Sequence, residues 1–501
     1  MTQSDGDAAG VSAVLVTVSL IFASAVFLIL KSLYDKRRIF KFAAKIKGFR
    51  FYPVVGNGFH IIGKNVFDAV QTIIKDHGLP CNMWVGHDYN YVTADPQEVK
   101  IVLNHPNSFD KMRIYDNFKL AFENSLLLAP VDLWKKNRKF CSKSFSQPIL
   151  NNFVEYFYRK SCTLLEVLRD SDDKDKFEVF ERYTFDSFCE SIIGLDYNLQ
   201  VKPKVRLVEW IGELQSIGGR RLITSYYYPL PVWLFSGEGR RAYKLLRNVM
   251  TLIYGVIRDK RRAFKENPIC VDANSPGLTL LDAMLHAEGE KFSDKQIFEE
   301  MFLFTTAATD TSGYTLAYIF TLLGMHADVQ ERVYKEVMCT VGRDRPIYYE
   351  DLPNLKYTER AILESMRILP VTPFIGRLCT GDIDLGTKIV PEGSNVFISV
   401  IDLHRDPKHW PDPLKYDPDR FLPEETAKRE PYAYIPFSGG CRNCIGKPYA
   451  LMLMKTAVAN VVRNYEIFSK YRSVSELRLT SCITMKTVDP IDCRFKWRAQ
   501  E

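Results

Sequence analysis

The chain has 501 residues, of which 46% are hydrophobic, 13% aromatic and 25% charged, a composition that excludes disordered, collagen-like and disulfide-scaffold proteins. Its 67 basic and 60 acidic side chains give a formal net charge of +7. The segment Lys31–Arg50 carries eight bases and one acid and accounts for this whole excess, so the charge gives no reason to expect a nucleic-acid partner.

The first element in chain order is an uncharged run of 20 residues, Val11–Leu30. About 20 apolar residues form a helix long enough to cross a bilayer. An Ala-Ser-Ala tripeptide within the run resembles a signal-peptide cleavage site, but the run is too long for a signal peptide and its amino-terminal flank is acidic. The bases that follow predict that the remainder of the chain is cytosolic. We therefore expect a membrane anchor at residues 1–30 and a basic, turn-rich linker at 31–56.

Residues 57–501 contain no repeat and no segment with the composition of a linker, which predicts one large domain. The aromatic alternation of Trp84–Thr93 predicts a strand, and strand-like pieces return at Gly386–Val400 and Leu477–Trp497. The pattern between the first strand and about residue 370 is helical. The domain is thus expected to be mainly α with a smaller β-rich part.

A long helix is predicted to begin after Ser293, because Ser293 and Gln296 form a capping box ahead of an apolar run that reaches Met325. The middle of this helix reads Ala-Ala-Thr-Asp-Thr-Ser at 307–312. Thr and Ser at such positions can bend a helix by bonding to the carbonyl four residues earlier. Taken alone, the segment is a polar patch within a helix.

A second helix is predicted at Leu355–Leu369, where Glu364 and Arg367 are spaced to pair on one face. Trp134 and Arg138, four residues apart, also project from one face of a helix. Pairs of this kind are usually exposed and contribute little to stability. Neither pair indicates a function without further context.

The strongest local signal is Phe437–Gly446, a glycine-rich segment that leads into a third helix, predicted from about Cys444 through Asn460. Cys441 and Cys444 form a CxxC pair, which suggests zinc or a redox disulfide, but no second ligand pair and no thioredoxin-like βαβ pattern accompany it. Alternatively, Cys444 is a single thiolate whose pKa is lowered by the N–H groups and dipole of the helix. Such a thiolate suits iron.

This segment is similar to the haem-binding signature of the cytochrome P-450 superfamily, Phe-x-x-Gly-x-Arg-x-Cys-x-Gly. The matching residues are Phe437, Gly440, Arg442, Cys444 and Gly446. The Trp-x-x-x-Arg, oxygen-binding and Glu-x-x-Arg motifs of the family follow its order at Trp134, Ala307 and Glu364. The resemblance covers about 57–501 and is nearest to microsomal animal forms of the fatty-acid-hydroxylase and insect type. It implies the cytochrome P-450 fold preceded by a single N-terminal transmembrane helix.

The resemblance implies haem b with Cys444 as the axial iron ligand. Relatives that attach haem covalently have Glu where this chain has Ala307, so the haem is expected to be non-covalent. The other residues expected to contact haem are Trp134, Arg138, Arg377, Phe437, Arg442 and Gly446. Asp310 and Thr311 are implied to be the catalytic acid–alcohol pair that relays protons. Ala308 departs from the family's usual Gly and leaves the local distortion of that helix open.

Glu364 and Arg367 are implied to form a structural network with Arg420. Because the chain has no dinucleotide-binding motif, NADPH is expected to act through NADPH–cytochrome P-450 reductase, with cytochrome b5 as a further candidate donor. The residues expected to dock the reductase are Lys135, Lys136, Lys139, Arg442 and Lys447. The resemblance also implies a single-pass protein of the endoplasmic reticulum membrane with a cytosolic catalytic domain.

The substrate is expected to be a lipophilic small molecule: a fatty acid, a terpenoid or hormone, or a foreign compound. The segments implied to line its pocket are Phe109–Pro130, 202–235 with Tyr226–Tyr228 and Trp233, Phe304, Val371–Ile375 and Ser481–Met485. Two other functions remain open. One is a haem-thiolate isomerase or dehydratase acting on peroxides, and the other is a non-haem membrane-anchored CxxC thiol protein.

Overall fold

A computed structural model describes residues 4–52, 55–61, 63–171, 174–202, 206–224, 227–266, 279–287, 292–481 and 483–498. The helices are α1 (Ser4–Asp35), α2 (Arg37–Ala43), α3 (Gly58–Ile61), α4 (Val66–His77), α5 (Pro96–Asn104), α6 (Lys119–Phe122), α7 (Val131–Ser144), α8 (Gln147–Arg169), α9 (Lys176–Phe188), α10 (Leu207–Ile223), α11 (Leu230–Phe235), α12 (Gly237–Glu266), α13 (Leu280–His286), α14 (Asp294–Met325), α15 (Ala327–Thr340), α16 (Lys356–Ile368), α17 (Val400–Leu403), α18 (Pro423–Lys428) and α19 (Lys447–Asn464). The strands are β1 (Cys81–Val85), β2 (Asp88–Thr93), β3 (Phe374–Leu378), β4 (Ile383–Asp384), β5 (Ile389–Val390), β6 (Asn395–Ser399), β7 (Tyr465–Ser469), β8 (Leu479–Ser481), β9 (Met485–Thr487) and β10 (Cys493–Trp497).

The amino-terminal helix α1 is 32 residues long and exposes apolar side chains such as Phe22 and Phe27. Of the helices in the described ranges, none meets the combined length and apolarity of a membrane span. Helix α2 follows at once and buries Ile39 and Phe42 against the aromatic side chains of the first two strands. The division into anchor, linker and catalytic domain stays a prediction.

The largest sheet has the strand order β1-β2-β6-β3, in which β2 and β6 run parallel and the outer pairs run antiparallel. The prediction of one strand over Trp84–Thr93 was wrong. Gly86, with φ of +58°, turns the chain between β1 and β2, so the segment is a hairpin whose first strand begins at Cys81. The alternation continues through the turn because both strands bury their aromatic residues.

Helix α14 runs through the hydrophobic core and confirms the capping box, since Ser293 and Gln296 exchange the two predicted hydrogen bonds. Gly313 lets helix α9 approach closely: a Cβ there would lie 3.1 Å from the Cα of Glu181. Phe304 stacks on Phe145 at 5.6 Å, and Phe145 contacts Tyr449 of α19 at 6.4 Å. These contacts bring the middle of α14 to the beginning of α19.

Helices α16 and α19 confirm the two other helices predicted from the sequence. Helix α19 begins at Lys447, three residues later than expected, because the Cys444 segment is a turn that precedes the helix. The fold therefore presents Cys444 immediately before the first turn of α19.

Candidate active site

The glycine-rich segment before α19 forms a tight turn whose backbone conformation depends on its glycines. Ser438 and Gly440 both have positive φ, +60° and +67°. A Cβ at Gly440 would lie 1.9 Å from the carbonyl oxygen of Leu103, which leaves room only for glycine. The Cys444 N–H donates to the carbonyl oxygen of Phe437 at 2.9 Å. This closed turn fixes where the Cys444 side chain begins.

The Cys444 thiol is accessible, yet it lies in a recess surrounded by protein. Loss of solvation there raises the pKa of Cys444 above its usual value. The backbone N–H groups of Gly446 and Lys447 and the charges of Arg138 and Lys111 favour the thiolate but only partly offset this effect. The N–H groups at the start of the helix thus lower the thiol pKa as expected, but desolvation is the larger effect and the net shift is upward.

Three cations with little solvent lie near Cys444. Arg377 is 2% exposed and donates to the carbonyl oxygen of Gly376 at 3.0 Å and to Ser438 Oγ at 3.4 Å. Arg442 is 8% exposed, and its guanidinium lies 4.6 Å from the centre of the Trp134 ring. Burial lowers the pKa of Arg442 to about 10, and the pKa of Lys111 falls well below its usual value.

Nothing within the described residues forms a salt bridge with these three cations. The Nε and Nη1 atoms of Arg442 are buried without a hydrogen-bond partner, and its Nη2 donates only to the carbonyl oxygen of Ala129 at 3.2 Å. Buried cations require anions. The two propionates of a haem held by Cys444 would supply them, so the donor set fits that cofactor.

Sequence reasoning missed Lys111 and Tyr115. Burial raises the pKa of Tyr115, and the nearby charge of Arg377 partly offsets that increase. Both lie in a segment expected to form an apolar wall, and its sequence does not distinguish Lys111 from Arg113 and Lys119. Arg138 contacts the glycine-rich segment before α19, where it donates to the carbonyl oxygen and Oδ1 of Asn443, both at 2.8 Å. Its role toward a propionate stays a prediction.

The acid and the alcohol of α14 face different sides of the helix. Thr311 Oγ1 donates to the carbonyl oxygen of Ala307 at 2.7 Å, the back-bond that the sequence predicted. Ala307 is exposed on a helix that is otherwise mostly buried, so this face borders open space. Asp310 is 2% exposed and bonds instead to Thr484 and Lys486. No hydrogen bond joins Asp310 to Thr311 in this part of the described chain.

The network predicted for Glu364, Arg367 and Arg420 is present. Arg367 Nε and Nη2 donate to the two carboxylate oxygens of Glu364 at 2.7 and 2.8 Å, and both side chains are fully buried. Arg420 Nε lies 3.5 Å from Glu364 Oε1. Arg367 also donates to the carbonyl oxygens of His404 and Pro413. These contacts hold α16 against the segment 404–421.

An apolar recess with about 670 Å³ not filled by protein atoms opens beside α14. Its lining includes residues from several of the segments predicted to surround the substrate: Phe118, Leu120, Phe122, Leu214, Gln215, Trp233, Phe302, Thr306 and Ile483. The prediction of Phe304 was wrong for this recess, because Phe304 packs on Phe145 while Phe302 and Thr306 face the space. Tyr226 lies outside the described residues.

Arg221 is the charged residue of the recess wall and is 4% exposed. Its guanidinium donates to the carbonyl oxygens of Asn117, Tyr227 and Tyr228 and stacks 4.2 Å from the centre of the Trp233 ring. Burial lowers the pKa of Arg221. The described residues provide no carboxylate to balance its charge.

A pair of glutamates at the start of α14 holds one wall of the recess. Glu299 accepts the N–H of Asn124 at 2.7 Å, and Glu300 accepts the N–H of Leu126 at 3.0 Å. Burial raises the pKa of Glu300 to about 8. No sequence pattern predicted this role, since acids in the first turns of a helix commonly interact with the helix dipole.

Four of the bases predicted for docking a reductase, Lys135, Lys136, Lys139 and Lys447, are exposed. The prediction of Arg442 for that surface was wrong, because its guanidinium is buried under Trp134. Cys441 and Cys444 are both free thiols. Across the described ranges, no group of three or more His, Cys, Asp or Glu side chains is arranged to hold a metal ion, so the CxxC pair has no protein ligands with which to share zinc.

Comparison with known proteins gives a consistent result. The family model described as Cytochrome P450 matches residues 46–487. Cytochrome P450 4d1 of Drosophila melanogaster is 28% identical over 96% of this chain and 99% of its own length. Cytochrome P450 4c21 of Blattella germanica is 29% identical over 92% and 94%, and Cytochrome P450 4V2 of Rattus norvegicus is 29% identical over 90% and 89%.

Proposed function

The chain belongs to the cytochrome P450 family, and from that premise we propose that it is a membrane-anchored monooxygenase that inserts one oxygen atom of O₂ into a lipophilic substrate. The observation that carries the proposal is the environment of Cys444. The accessible thiol of Cys444 lies before the first turn of α19, and Arg377, Arg442 and Lys111 near it form no salt bridge within the described residues. The alternative of a CxxC thiol protein leaves those cations unexplained.

Cys444 would hold the haem iron, and Arg377, Arg442 and Lys111 would bind the propionates. Haem ligated by a thiolate supplies the chemistry of oxygen activation. The protein contributes a hydroxyl, Thr311 Oγ1, on the accessible face of α14, and a carboxylate, Asp310, one residue earlier. Thr311 can hold a proton at the open face and Asp310 can resupply it, while the apolar recess keeps bulk water away from the substrate.

The electron supply and the membrane location are also part of the proposal. NADPH would act through a separate reductase, for which the exposed lysines 135, 136, 139 and 447 provide a positive surface, with cytochrome b5 as a further candidate. The anchor is supported by the uncharged run Val11–Leu30 and the bases that follow it. A single-pass location in the endoplasmic reticulum membrane, with the catalytic domain on the cytosolic side, is consistent with that charge pattern.

Within the lipophilic class, Arg221 favours a substrate with an anionic end group. A long apolar body would fill the recess, and a carboxylate would balance the buried guanidinium. Neutral hormones and foreign compounds would leave that charge unpaired. The preference rests on the burial of Arg221 and its lack of a carboxylate partner within the described part of the chain.

The spectrum of the reduced carbon monoxide complex tests the proposal. The wild-type protein should give the strongly red-shifted Soret band of a thiolate ligand, Cys444→Ala should lose it, and Cys441→Ala should keep it. With added reductase, the wild-type protein should consume NADPH and O₂ and form a hydroxylated product. Turnover of lipid peroxides without NADPH would instead support the isomerase or dehydratase alternative and overturn the monooxygenase.

A further inference from the structure

The carboxylate of Asp310 is held by the carboxy-terminal hairpin β8–β9. Thr484 Oγ1 donates to Asp310 Oδ2 at 2.6 Å, and Lys486 Nζ donates to Oδ1 at 3.2 Å. Both donors come from an element more than 170 positions away in the sequence. The hairpin is itself fixed to α14, because Tyr318 Oη donates to the carbonyl oxygen of Met485 at 2.9 Å. The orientation of Asp310 therefore depends on this hairpin.

Two aromatic rings lie beside the Lys486 ammonium and restrict its position. Its ammonium lies 5.2 Å from the ring centre of Tyr314 on α14 and 5.8 Å from that of Phe177 on α9. The two rings are stacked on each other with centres 3.6 Å apart. Cation–π contacts of this kind add to the ion pair with Asp310. The aromatic pair thus forms a wall that directs the ammonium toward the carboxylate.

The same ammonium also reaches the substrate recess. Lys486 Nζ donates to Gln215 Oε1 at 3.2 Å, and Gln215 lies on α10 in the wall of the recess. Ile483, one residue before Thr484, lines the recess too. One hairpin therefore contacts both the space for the substrate and the acid of the proton relay. A ligand that displaces Gln215 or Ile483 must also change the hydrogen bonds of Asp310.

We propose that Lys486, together with Thr484, is a positioning residue that links occupancy of the substrate recess to the orientation of the relay acid Asp310. The inference rests on the proposed monooxygenase function for its catalytic meaning, whereas the linkage itself is a property of the fold. In the arrangement seen here, Lys486 and Thr484 hold Asp310 away from the face that bears Thr311. A substrate that engages Gln215 changes the contacts of the ammonium and, through it, the orientation of the Asp310 carboxylate that supplies Thr311.

The surroundings of Asp310 support a role in proton transfer. Glu181 of α9 is buried, and burial together with the charge of Asp310 raises its pKa well above the usual value. The charges of Lys486 and Arg182 lower the pKa of Glu181 and partly offset this increase. Thr184, one turn later on α9, donates to the carbonyl oxygen of Thr309 at 3.0 Å and keeps the two helices in register. Asp310 therefore has a second buried carboxyl group as a neighbour.

The test compares Lys486→Met, Lys486→Arg and Gln215→Leu with Lys496→Met, a control that removes an exposed lysine from strand β10. The first readout needs no turnover: amide hydrogen exchange of residues 483–487. Lys486→Met should speed this exchange about fivefold, and Lys486→Arg and the control should change it by less than about twofold. Unchanged exchange in Lys486→Met would overturn the linkage whether or not the protein is a monooxygenase.

The second readout is product formed per NADPH consumed, measured with reductase and a lipid that gives a substrate-binding spectral shift. Lys486→Met should lower this ratio about tenfold and raise the solvent deuterium isotope effect on product formation, with the binding shift and the thiolate band preserved. Gln215→Leu should lower the ratio less, about threefold, because only the recess contact is lost. A ratio in Lys486→Met equal to that of the wild type would overturn the positioning role. Failure of the wild type to form any product would refute the proposed function and not the hydrogen-exchange result.

Discussion

Two clusters of basic side chains differ in whether a carboxylate pairs with them. This difference distinguishes a structural cluster from a ligand-binding site. The cluster of Glu364, Arg367 and Arg420 contains its own counter-ion, since the Glu364 carboxylate lies between two guanidinium groups, and backbone carbonyls accept further N–H groups of both arginines. The cluster of Lys111, Arg377 and Arg442 forms no salt bridge within the described residues, and the carboxylate of Asp110 acts on Arg442 only at longer range.

The difference shows how a binding site can be found without its ligand. Folding tolerates a buried charge only when an opposite charge or hydrogen bonds compensate it. A compensated cluster needs nothing further, whereas an uncompensated cluster indicates a ligand of opposite charge. Haem propionates have that charge, and the Cys444 thiol beside the uncompensated cluster has the chemistry of an iron ligand.

Arg367→Leu breaks the compensated cluster and has the largest expected effect. The carboxylate of Glu364 would be left buried without its main partner, which should lower the free energy of unfolding by about 3–5 kcal/mol. Urea unfolding followed by circular dichroism measures it. The double variant Glu364→Leu/Arg367→Leu is the control and should lose less than the single variant. A loss below about 1 kcal/mol in Arg367→Leu would contradict the structural role.

His404 extends this cluster and makes it sensitive to acid. Burial lowers its pKa to about 3, and its neutral Nε2 accepts the N–H of Ile435 at 2.9 Å. Since the folded pKa lies below the unfolded value of about 6.5, the stability from this group is complete above pH 6.5 and is lost as the pH falls toward 3. Between pH 7 and 5 the loss should be about 2 kcal/mol.

His404→Asn provides the comparison for this pH dependence. The variant should be less stable than the wild type at pH 7, because the packing is altered, but its unfolding free energy should fall less steeply between pH 7 and 5. Urea unfolding at the two pH values measures both slopes. Equal slopes would show that His404 is not the group that titrates.

Arg377→Leu tests the uncompensated cluster and should have opposite effects on two quantities. Without haem, removal of a buried unpaired cation should leave the free energy of unfolding unchanged or raise it. With haem, loss of a propionate partner should speed haem transfer to a globin scavenger about tenfold. If the variant is less stable than the wild type without haem and transfers haem at the wild-type rate, Arg377 has a structural role instead.

Arg221→Met extends the comparison to the recess and has the smallest expected effect. If the guanidinium balances an anionic end group, the variant should bind a long-chain carboxylate about fivefold more weakly. The methyl ester of the same lipid is the control and should bind both proteins alike. Spectral titration measures the two dissociation constants. An equal loss for acid and ester would indicate a packing role for Arg221.

Local patterns predicted some features of the site and missed others for identifiable reasons. The capping box at Ser293 and the Glu364–Arg367 spacing involve residues within one helix, and the structure confirms both. Lys111 and Lys486 were missed because the residues that surround them in the fold lie far away in the sequence. Arg442 was assigned to an exposed surface because its cover, the Trp134 ring, comes from another helix.

The sequence by itself determined the family, the position of the thiol and the main helices, because these depend on short motifs and on periodicity. Only the tertiary structure decided which charges are compensated, since compensation requires side chains from separate elements to meet. It also decided that Asp310 and Thr311 have different partners, with Asp310 bonded to Thr484 and Lys486 and Thr311 to the carbonyl oxygen of Ala307. The helical repeat predicts the direction in which a side chain leaves the helix axis. The packing of neighbouring elements determines which residue that side chain contacts.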